Sequence, residues 1–134
     1  MGRARYNTHL ENNMRLLRLD PDIDKGWYAG PWNSDLPISI GYANTGIDLP
    51  HLHRQITEIY LIAHGTAVLA IDNQSLTVSA GDMILVQPGE AHTFLSSSPD
   101  YLHFVLHVPG LPEEAARADK VFLQDNSLHG LGAP

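Results

Sequence analysis

Three histidines and one glutamate in the middle of the chain have side chains and spacing that suit a metal ion. His51 and His53 are two residues apart on a predicted strand, so their side chains leave the same face of that strand. Glu58 follows five residues after His53, and His92 lies 34 residues beyond Glu58. Three imidazoles and one carboxylate form a nitrogen and oxygen ligand set that suits Fe(II), Mn, Ni, Cu or Zn, and ligand type alone does not choose among these ions. The four residues are therefore candidate ligands of a divalent transition metal.

The composition agrees with a metal site and excludes several other kinds of chemistry. Eight histidines is a high count for 134 residues, and six of them lie between His51 and His107. No lysine or arginine occurs between Arg54 and Arg117, so this stretch suits a metal better than a phosphate group. The chain has no cysteine, which excludes disulfides, thiolate zinc sites, iron–sulfur clusters and a cysteine nucleophile.

The charge and hydropathy of the chain predict a soluble, cytoplasmic protein whose partners are small molecules. The formal net charge is −7, whereas nucleic acids and anionic membranes bind to positive protein surfaces. No apolar run approaches the length of a membrane span, and the first residues lack the apolar stretch of a secretion signal. We therefore expect a small-molecule substrate, with no nucleic acid and no membrane as partner.

The length allows one domain, and the residue pattern predicts that this domain is all-β. Many short apolar or alternating runs separated by turn residues are typical of a β-sandwich or barrel. The predicted strands are 14–19, part of 26–32, 38–44, 51–53, 58–63, 67–72, 75–78, 82–86, 91–95, 101–108 and 121–123. Pro112, Glu113 and Glu114 favour the start of one short C-terminal helix, which is expected to continue to Lys120.

The two ends of the chain are predicted to lie outside the barrel. Residues 1–13 are polar and are expected to form a flexible arm, and residues 126–134 form a flexible tail. The single β-barrel domain then occupies residues 14–125.

Two motifs within this domain resemble those of the cupin superfamily. Residues 46–65 contain a glycine, the sequence His51-Leu-His53, then Glu58 and a closing glycine. Residues 81–96 contain a glycine, a Pro-Gly pair and then His92. The 15 residues between the two motifs match the short spacing of compact microbial members of the family.

The sequence departs from the usual cupin pattern at three positions. One residue fewer than usual separates Gly46 from His51, Gln87 replaces a common proline, and Ser96 replaces a common asparagine. None of these positions is a candidate ligand. The glycines at 65, 81 and 89 are expected to supply turn conformations that a side chain would disfavour, whether or not a metal binds.

The resemblance covers about residues 38–108 and implies a cupin-type jelly-roll β-barrel of six to eight strands. It also implies that a single metal ion per chain is held by His51, His53, Glu58 and His92. Members of this family include dioxygenases, isomerases, epimerases, decarboxylases and lyases, so fold and ligands alone do not choose a reaction. The resemblance further implies a homodimer, and apolar residues on both faces of strand 58–63 agree with it.

Three further residues are candidate catalytic groups. Alternation along strand 101–108 places His103 and His107 on one face. If that face looks into the barrel, one of the two imidazoles is placed to move protons near the metal; if it looks outward, both are half-exposed strand residues. Tyr60 shares the inward direction of Glu58, where it either contacts substrate or fills the barrel.

For three aromatic residues and one further histidine, we favour a structural role over a functional one. Trp27, Tyr28 and Trp32 either line the mouth of the barrel or pack in the core, and core packing is the preferred prediction. His64 is expected to be a loop residue beside the turn at Gly65.

The sequence thus favours an enzyme, of the metal-dependent dioxygenase or isomerase/lyase type, that acts on a small oxygenated molecule. The scarcity of basic residues argues for a neutral or singly charged substrate, such as a diketone, enediol, phenol or sugar. Arg54 is the one cation expected near the site, and alternation from His53 points it away. The alternatives are a non-catalytic module that binds or senses a small ligand, and a barrel that keeps a metal only for structure.

Overall fold

The computed structural model describes residues 2–3, 5–9, 14–46 and 48–123, which form thirteen strands and one helix. The strands are β1 (Gly2–Arg3), β2 (Arg5–His9), β3 (Arg15–Arg18), β4 (Lys25–Ala29), β5 (Ser39–Ala43), β6 (His51–His53), β7 (Thr57–His64), β8 (Thr66–Ile71), β9 (Gln74–Ser79), β10 (Met83–Val86), β11 (His92–Ser97), β12 (Leu102–Val108) and β13 (Lys120–Phe122). The helix α1 spans Glu113–Asp119. The all-β prediction with a short C-terminal helix is confirmed.

Two sheets form the jelly roll. The larger has six strands in the order β1-β4-β5-β12-β7-β10, and the smaller has five in the order β13-β6-β11-β8-β9. Pairing within both sheets is antiparallel, apart from the parallel pair of β1 with β4. β2 and β3 form a separate two-stranded ribbon.

The core between the two sheets follows from alternation along the strands. In β7, Glu58, Tyr60 and Ile62 are buried while their neighbours are less so, because successive side chains leave opposite faces. The register sets Tyr60 beside Val105 of β12. Leu69 of the smaller sheet belongs to the same hydrophobic cluster and is fully buried.

The turn between β7 and β8 shows why glycine is required at one position of the first motif. Gly65 has φ +75°, a region that costs a residue with a side chain roughly 1–2 kcal/mol. A Cβ there would also lie 2.8 Å from the Asp100 carboxylate and 2.9 Å from the Cα of Tyr101. Positive φ values at Gly81 and Gly89 likewise confirm the predicted turn roles.

The ends of the domain differ in detail from the sequence prediction. β1 and β2 lie within 1–13, the segment predicted to be a flexible arm, and their backbones pair with β4 and β3. Pro112 is the residue preceding α1, because its fixed φ suits the entry to a helix. The helix ends one residue earlier than expected, and Lys120 already belongs to β13. The predicted tail at 126–134 lies outside the described residues.

Within the part of the chain that the structure describes, no helix has the length and apolar character needed to cross a membrane.

Candidate metal centre

Four side chains from the two sheets meet at one end of the barrel interior. His51 and His53 stand on β6, which lies between β13 and β11 in the smaller sheet, and both are buried. His92 begins β11 and is the direct cross-strand partner of His51. Glu58 projects from β7 of the opposite sheet. One ligand atom from each residue lies within 4.8 Å of the others, so the candidate set predicted from the sequence is brought together.

The three imidazoles converge on one oxygen of the glutamate. Glu58 Oε1 lies 2.7 Å from the Nε2 atom of His92, 3.0 Å from that of His53 and 3.7 Å from that of His51. The second oxygen, Oε2, lies 2.8 Å from Nε2 of His107. Every residue of this group is buried or nearly so.

The outward nitrogens of the same imidazoles are held by fixed acceptors. Nδ1 of His51 lies 2.7 Å from the carbonyl oxygen of Leu49, and Nδ1 of His92 lies 3.0 Å from that of Glu90. A carbonyl oxygen only accepts, so each Nδ1 carries the proton and donates it. In the neutral imidazoles the Nε2 atoms then hold lone pairs, which is the form that binds a metal.

The arrangement fits a cation better than it fits the protein alone. Nε2 of His53 has no hydrogen-bond partner among the described residues, although it is buried and Glu58 Oε1 lies 3.0 Å away. Lone pairs on three nitrogens facing a carboxylate oxygen repel one another unless a proton or a metal ion lies between them. Three imidazoles and one carboxylate are a donor set that several divalent transition metals accept.

The electrostatics of the cluster keep the glutamate ionised. Burial raises the pKa of Glu58, but the hydrogen bond from His107 and the close contacts with the three other imidazoles outweigh it and hold that pKa well below its usual range. Burial lowers the pKa of His51, and the nearby His92 and Lys120 lower it further, against the opposing effect of Glu58. At neutral pH the site therefore offers an anionic carboxylate and a neutral imidazole at His51.

His53 behaves differently from His51 because two carboxylates face it. Burial lowers its pKa, but interactions with Glu58 and then Asp119 outweigh burial and raise the pKa above the usual value. Without a metal, a proton on His53 relieves the repulsion between its Nε2 atom and Glu58.

The strand that carries the other two histidines faces inward, which decides between the two alternatives left by the sequence. Nε2 of His107 donates to Glu58, and its ring packs edge-on against Trp27 at 4.7 Å. His103 is buried, with Nδ1 2.6 Å from the hydroxyl oxygen of Tyr101. Burial, with a smaller effect of Lys25, lowers the pKa of His103 to about 4, so its imidazole is neutral at neutral pH.

Tyr60 lies in the barrel between the metal cluster and His103. Its hydroxyl oxygen is 3.4 Å from Nε2 of His92, and its ring packs edge-on against that of His103 at 5.0 Å. Burial, and then the charge of Glu58, raise the pKa of Tyr60 well above its usual value, so it is a neutral phenol. Tyr60 both fills the barrel and presents a hydroxyl beside the cluster.

A cavity of about 480 Å³ opens beside these groups. Its lining includes Glu58, His103 and His107 as well as two tryptophans, Trp27 and Trp32. Both tryptophans thus line the cavity wall, and Trp27 also packs against the buried hydrophobic cluster between the sheets, as the core prediction has it for that residue. Their T-shaped contact, with ring centroids 6.2 Å apart, forms a continuous aromatic surface.

Tyr28, by contrast, packs against Tyr42 and Phe104 and is not part of the hydrophobic cluster between the sheets. It alternates with Trp27 along β4 and so leaves the opposite face of the sheet. His64, predicted as a loop residue, is the last residue of β7 and is exposed.

The cavity also contains cations that the sequence did not place there. Lys25 of β4, Arg117 of α1 and Lys120 of β13 line it, whereas Arg54 is exposed and does not. The expectation that Arg54 is the one nearby cation is therefore wrong. The middle of the chain lacks basic residues, but two strands and a helix from outside that stretch supply the cations of the cavity wall.

Each of these three cations has a described contact. Lys25 Nζ lies 3.8 Å from the Asp48 carboxylate, and Arg117 pairs with Glu113 at 2.7 Å on the exposed side of the helix. Lys120 Nζ lies 4.9 Å from the ring centre of Phe122 and near enough to His51 to lower its pKa.

One residue that contacts a candidate ligand is not among those the sequence singles out. Asp119, the last residue of α1, is buried and contacts Nδ1 of His53 at 3.0 Å. An acidic residue in the last turn of a helix, where the helix dipole disfavours it, was the only signal in the sequence.

Comparison with solved structures shows the same fold in several proteins of low sequence identity. A variant of PAC13 from Streptomyces with uridine matches at a TM-score of 0.56 and 14% identity, over 75% of this chain and 84% of that chain; Pac13 is described as a nucleoside dehydratase. KdgF from Halomonas sp. matches at a TM-score of 0.58 and 18% identity, over 73% and 87%. A protein from Planctomyces limnophilus matches at a TM-score of 0.60 and 20% identity, over 73% of this chain and 81% of that chain.

No curated protein sequence matches the chain. The family model described as "Cupin domain" matches residues 42–108, which is half of the chain and includes all four candidate ligands. With the jelly roll and the buried cluster of three histidines and one glutamate, this match identifies the protein as a member of the cupin domain family.

Proposed function

We propose that this cupin is an enzyme that acts on a small oxygenated molecule through one divalent transition metal. The ligands are His51, His53, Glu58 and His92, and the reaction is of the dioxygenase or isomerase/lyase type. The observation that carries the proposal is the convergence of three imidazole Nε2 atoms on a buried carboxylate at the edge of a cavity. When bound, the metal supplies a Lewis acid, or a centre for dioxygen chemistry if it is redox-active.

The residues around the ligands have separate tasks in this proposal. His107 occupies the second oxygen of Glu58 and so orients the carboxylate with its other oxygen toward the three imidazoles. Tyr60 presents a neutral hydroxyl that donates a hydrogen bond to a substrate oxygen. Burial keeps Tyr60 a neutral phenol, and the hydrogen bond to Glu58 fixes the ring of His107.

His103 is the proton-transfer group in this account. The Tyr101 hydroxyl can accept from Nδ1, which leaves Nε2 as an acceptor, or donate to it, which leaves Nε2 as a donor. His103 can therefore present Nε2 either as an acceptor or as a donor, depending on its tautomer. With a pKa of about 4, neutral His103 is a weak base, so it takes up a proton only from a substrate group of comparable acidity.

The cavity wall supports a substrate that is flat in part and carries at most one negative charge. Trp27 and Trp32 offer an aromatic surface, which favours a planar or partly apolar molecule. Lys25 and Lys120 provide positive charge at the wall, while Asp48 limits how much anionic character is tolerated.

Turnover is the experiment that tests this proposal. The apoprotein is loaded in turn with Fe(II), Mn, Ni, Cu or Zn and assayed against diketones, enediols, phenols and sugars, with oxygen consumption and product mass as readouts. We expect wild type to turn over a member of this set, His53→Ala to lose that activity, and His64→Ala, an exposed histidine at the end of β7, to keep it.

A non-catalytic ligand-binding or sensing module is the second candidate, and the apolar character of the cavity wall is what favours it. Ligand binding detected as a change in the fluorescence of Trp27 and Trp32, without turnover when any of the metals is loaded, would support that candidate over the enzyme. Loss of folding, rather than of ligand binding, in metal-free protein would instead support a structural metal.

We also propose a homodimer formed through the outer face of the larger sheet. Leu61, Met83 and Leu85 are 39%, 61% and 47% exposed, and the register places Met83 beside Leu61 and Leu85 beside Ile59. A continuous apolar surface of this kind on an edge strand is typical of an interface. Sedimentation at micromolar concentration should give the mass of two chains, and the mass of one chain would contradict the proposal.

A further inference from the structure

We infer that Asp119 is a positioning residue of the metal centre, which holds His53 in the tautomer that a metal requires. The inference rests on the metal site proposed above and adds a component from outside the family-matched segment. Residues 42–108 match the family model, whereas Asp119 closes the C-terminal helix. The helix and the metal ligand are thereby joined by one side chain.

The location of Asp119 is unfavourable unless a specific contact offsets it. Its carboxylate is fully shielded from solvent, and a buried carboxylate is costly without partners. It also stands in the last turn of α1, where the helix dipole disfavours negative charge. Neither burial nor helix stability accounts for an aspartate here, so its partners must.

Both carboxylate oxygens of Asp119 have a partner in the segment that carries the ligands. Oδ2 lies 3.0 Å from Nδ1 of His53, and Oδ1 accepts a hydrogen bond from the backbone N–H of Gln55 at 2.7 Å. The backbone carbonyl of the same residue accepts from the N–H of Arg54 at 3.0 Å. Asp119 thus holds the loop between His53 and Glu58 as well as the imidazole itself.

Asp119 bears on which nitrogen of His53 carries the proton, because carboxylate oxygens lie 3.0 Å from both Nδ1 and Nε2. A carboxylate accepts only, so Asp119 Oδ2 favours the proton on Nδ1, which leaves the Nε2 lone pair for a metal, whereas Glu58 Oε1 favours the proton on Nε2. The negative charge of Asp119 also makes the imidazole a stronger donor toward a cation. Removing such an outer partner of a metal-bound histidine weakens metal binding by roughly 10- to 100-fold.

An asparagine at this position separates positioning from mere structural support. The Gln55 N–H is a fixed donor, so the amide oxygen of Asp119→Asn accepts from it and the amide NH₂ faces Nδ1 of His53. The NH₂ group donates, which favours the opposite tautomer with the proton on Nε2. Asp119→Ala, in contrast, leaves His53 without either preference but removes more packing.

The two variants should therefore rank in opposite orders in two measurements. Asp119→Asn should unfold at a temperature closer to wild type than Asp119→Ala does. Its zinc affinity, measured by competition with a chromophoric chelator, should fall by about 10- to 100-fold, at least as far as that of Asp119→Ala. The matched control is Glu114→Gln, which makes the same carboxylate-to-amide change at an exposed position of the same helix and should leave zinc affinity within twofold of wild type.

A second readout does not need a metal. The imidazole ¹⁵N shifts of His53 in metal-free protein, at a pH where the ring is neutral, should show a larger fraction protonated on Nδ1 in wild type than in Asp119→Asn, where the fraction protonated on Nε2 should rise. Unchanged shifts together with zinc affinity within twofold of wild type would overturn the inference. If wild type binds no metal but the tautomer changes as described, Asp119 positions His53 and the proposed metal function fails instead.

Discussion

The buried neutral state of His103 leads to a quantitative prediction about acid stability. Its pKa is about 4 in the folded protein, against an ordinary value of 6.5, with burial as the largest cause. As pH falls below 6.5, the unfolded chain takes up a proton at this residue and the folded chain does not. The free energy of unfolding therefore decreases with decreasing pH, and this loss is complete only below pH 4.

The size of the effect follows from the two pKa values. At pH 5.0 the difference in proton uptake costs the folded state about 2 kcal/mol, and at pH 7.5 it costs almost nothing. In His103→Gln, which keeps a side chain able to hydrogen-bond Tyr101, this contribution is absent. The free energy of unfolding of the variant should thus depend less steeply on pH than that of wild type.

The assay is urea unfolding of both proteins at pH 7.5 and 5.0, in the presence of a chelator so that metal release does not contribute. The decrease in the free energy of unfolding from pH 7.5 to pH 5.0 should be larger in wild type than in His103→Gln by about 2 kcal/mol. Comparing the two proteins cancels the effects of the other histidines. Parallel pH dependences, within about 0.5 kcal/mol, would refute the claim that His103 is held neutral in the barrel.

Three further predictions concern the metal, the cavity and a turn. A metal at 100 times its Kd should add about 2.7 kcal/mol to the free energy of unfolding. With an unfolding entropy of about 2.1 cal/mol/K per residue, this raises the Tm by about 10 °C. Differential scanning calorimetry should show this shift in wild type and none in the His51→Ala/His92→Ala double variant. Tyr60→Phe should keep its metal but lose about 100-fold or more in kcat/KM, because a hydrogen-bond donor to the substrate oxygen is removed; retained activity would remove Tyr60 from the mechanism. Gly65→Ala should lose about 2 kcal/mol or more in urea unfolding, because both its φ and its Cβ contacts are unfavourable.

The strands and the ligands were predictable because they depend on local pattern. Alternation in β7 fixes the inward direction of both Glu58 and Tyr60, and the His51-Leu-His53 sequence fixes a common face on β6. The second motif supplies His92 at the start of β11. The two-residue period of a strand and the resemblance of the two motifs are enough to predict these features.

The walls of the site were not predictable because they depend on which strands become neighbours. Trp27 meets His107 only because β4 and β12 flank β5 in one sheet. Lys120 reaches the cavity because β13 pairs with β6. Neither pairing leaves a trace in the local residue pattern.

Asp119 is the clearest case of information that the local sequence does not contain. Its role depends on the C-terminal helix returning to the loop after His53, where Arg54 N–H donates to its carbonyl oxygen. In sequence it is one more acidic residue in a helix that begins with Glu113 and Glu114. Only its burial beside His53 distinguishes it from them.

The metal content of the purified protein tests the central claim most directly. Protein prepared without an affinity tag or chelator is measured by elemental mass spectrometry, beside the His51→Ala/His92→Ala double variant and the His64→Ala control. We expect about one Fe, Mn, Ni, Cu or Zn per chain in wild type and control, and none in the double variant. Fe, Cu or Ni would favour oxygen chemistry, and Mn or Zn isomerase or lyase chemistry. Wild type that holds no metal even after reconstitution with each ion would contradict the account.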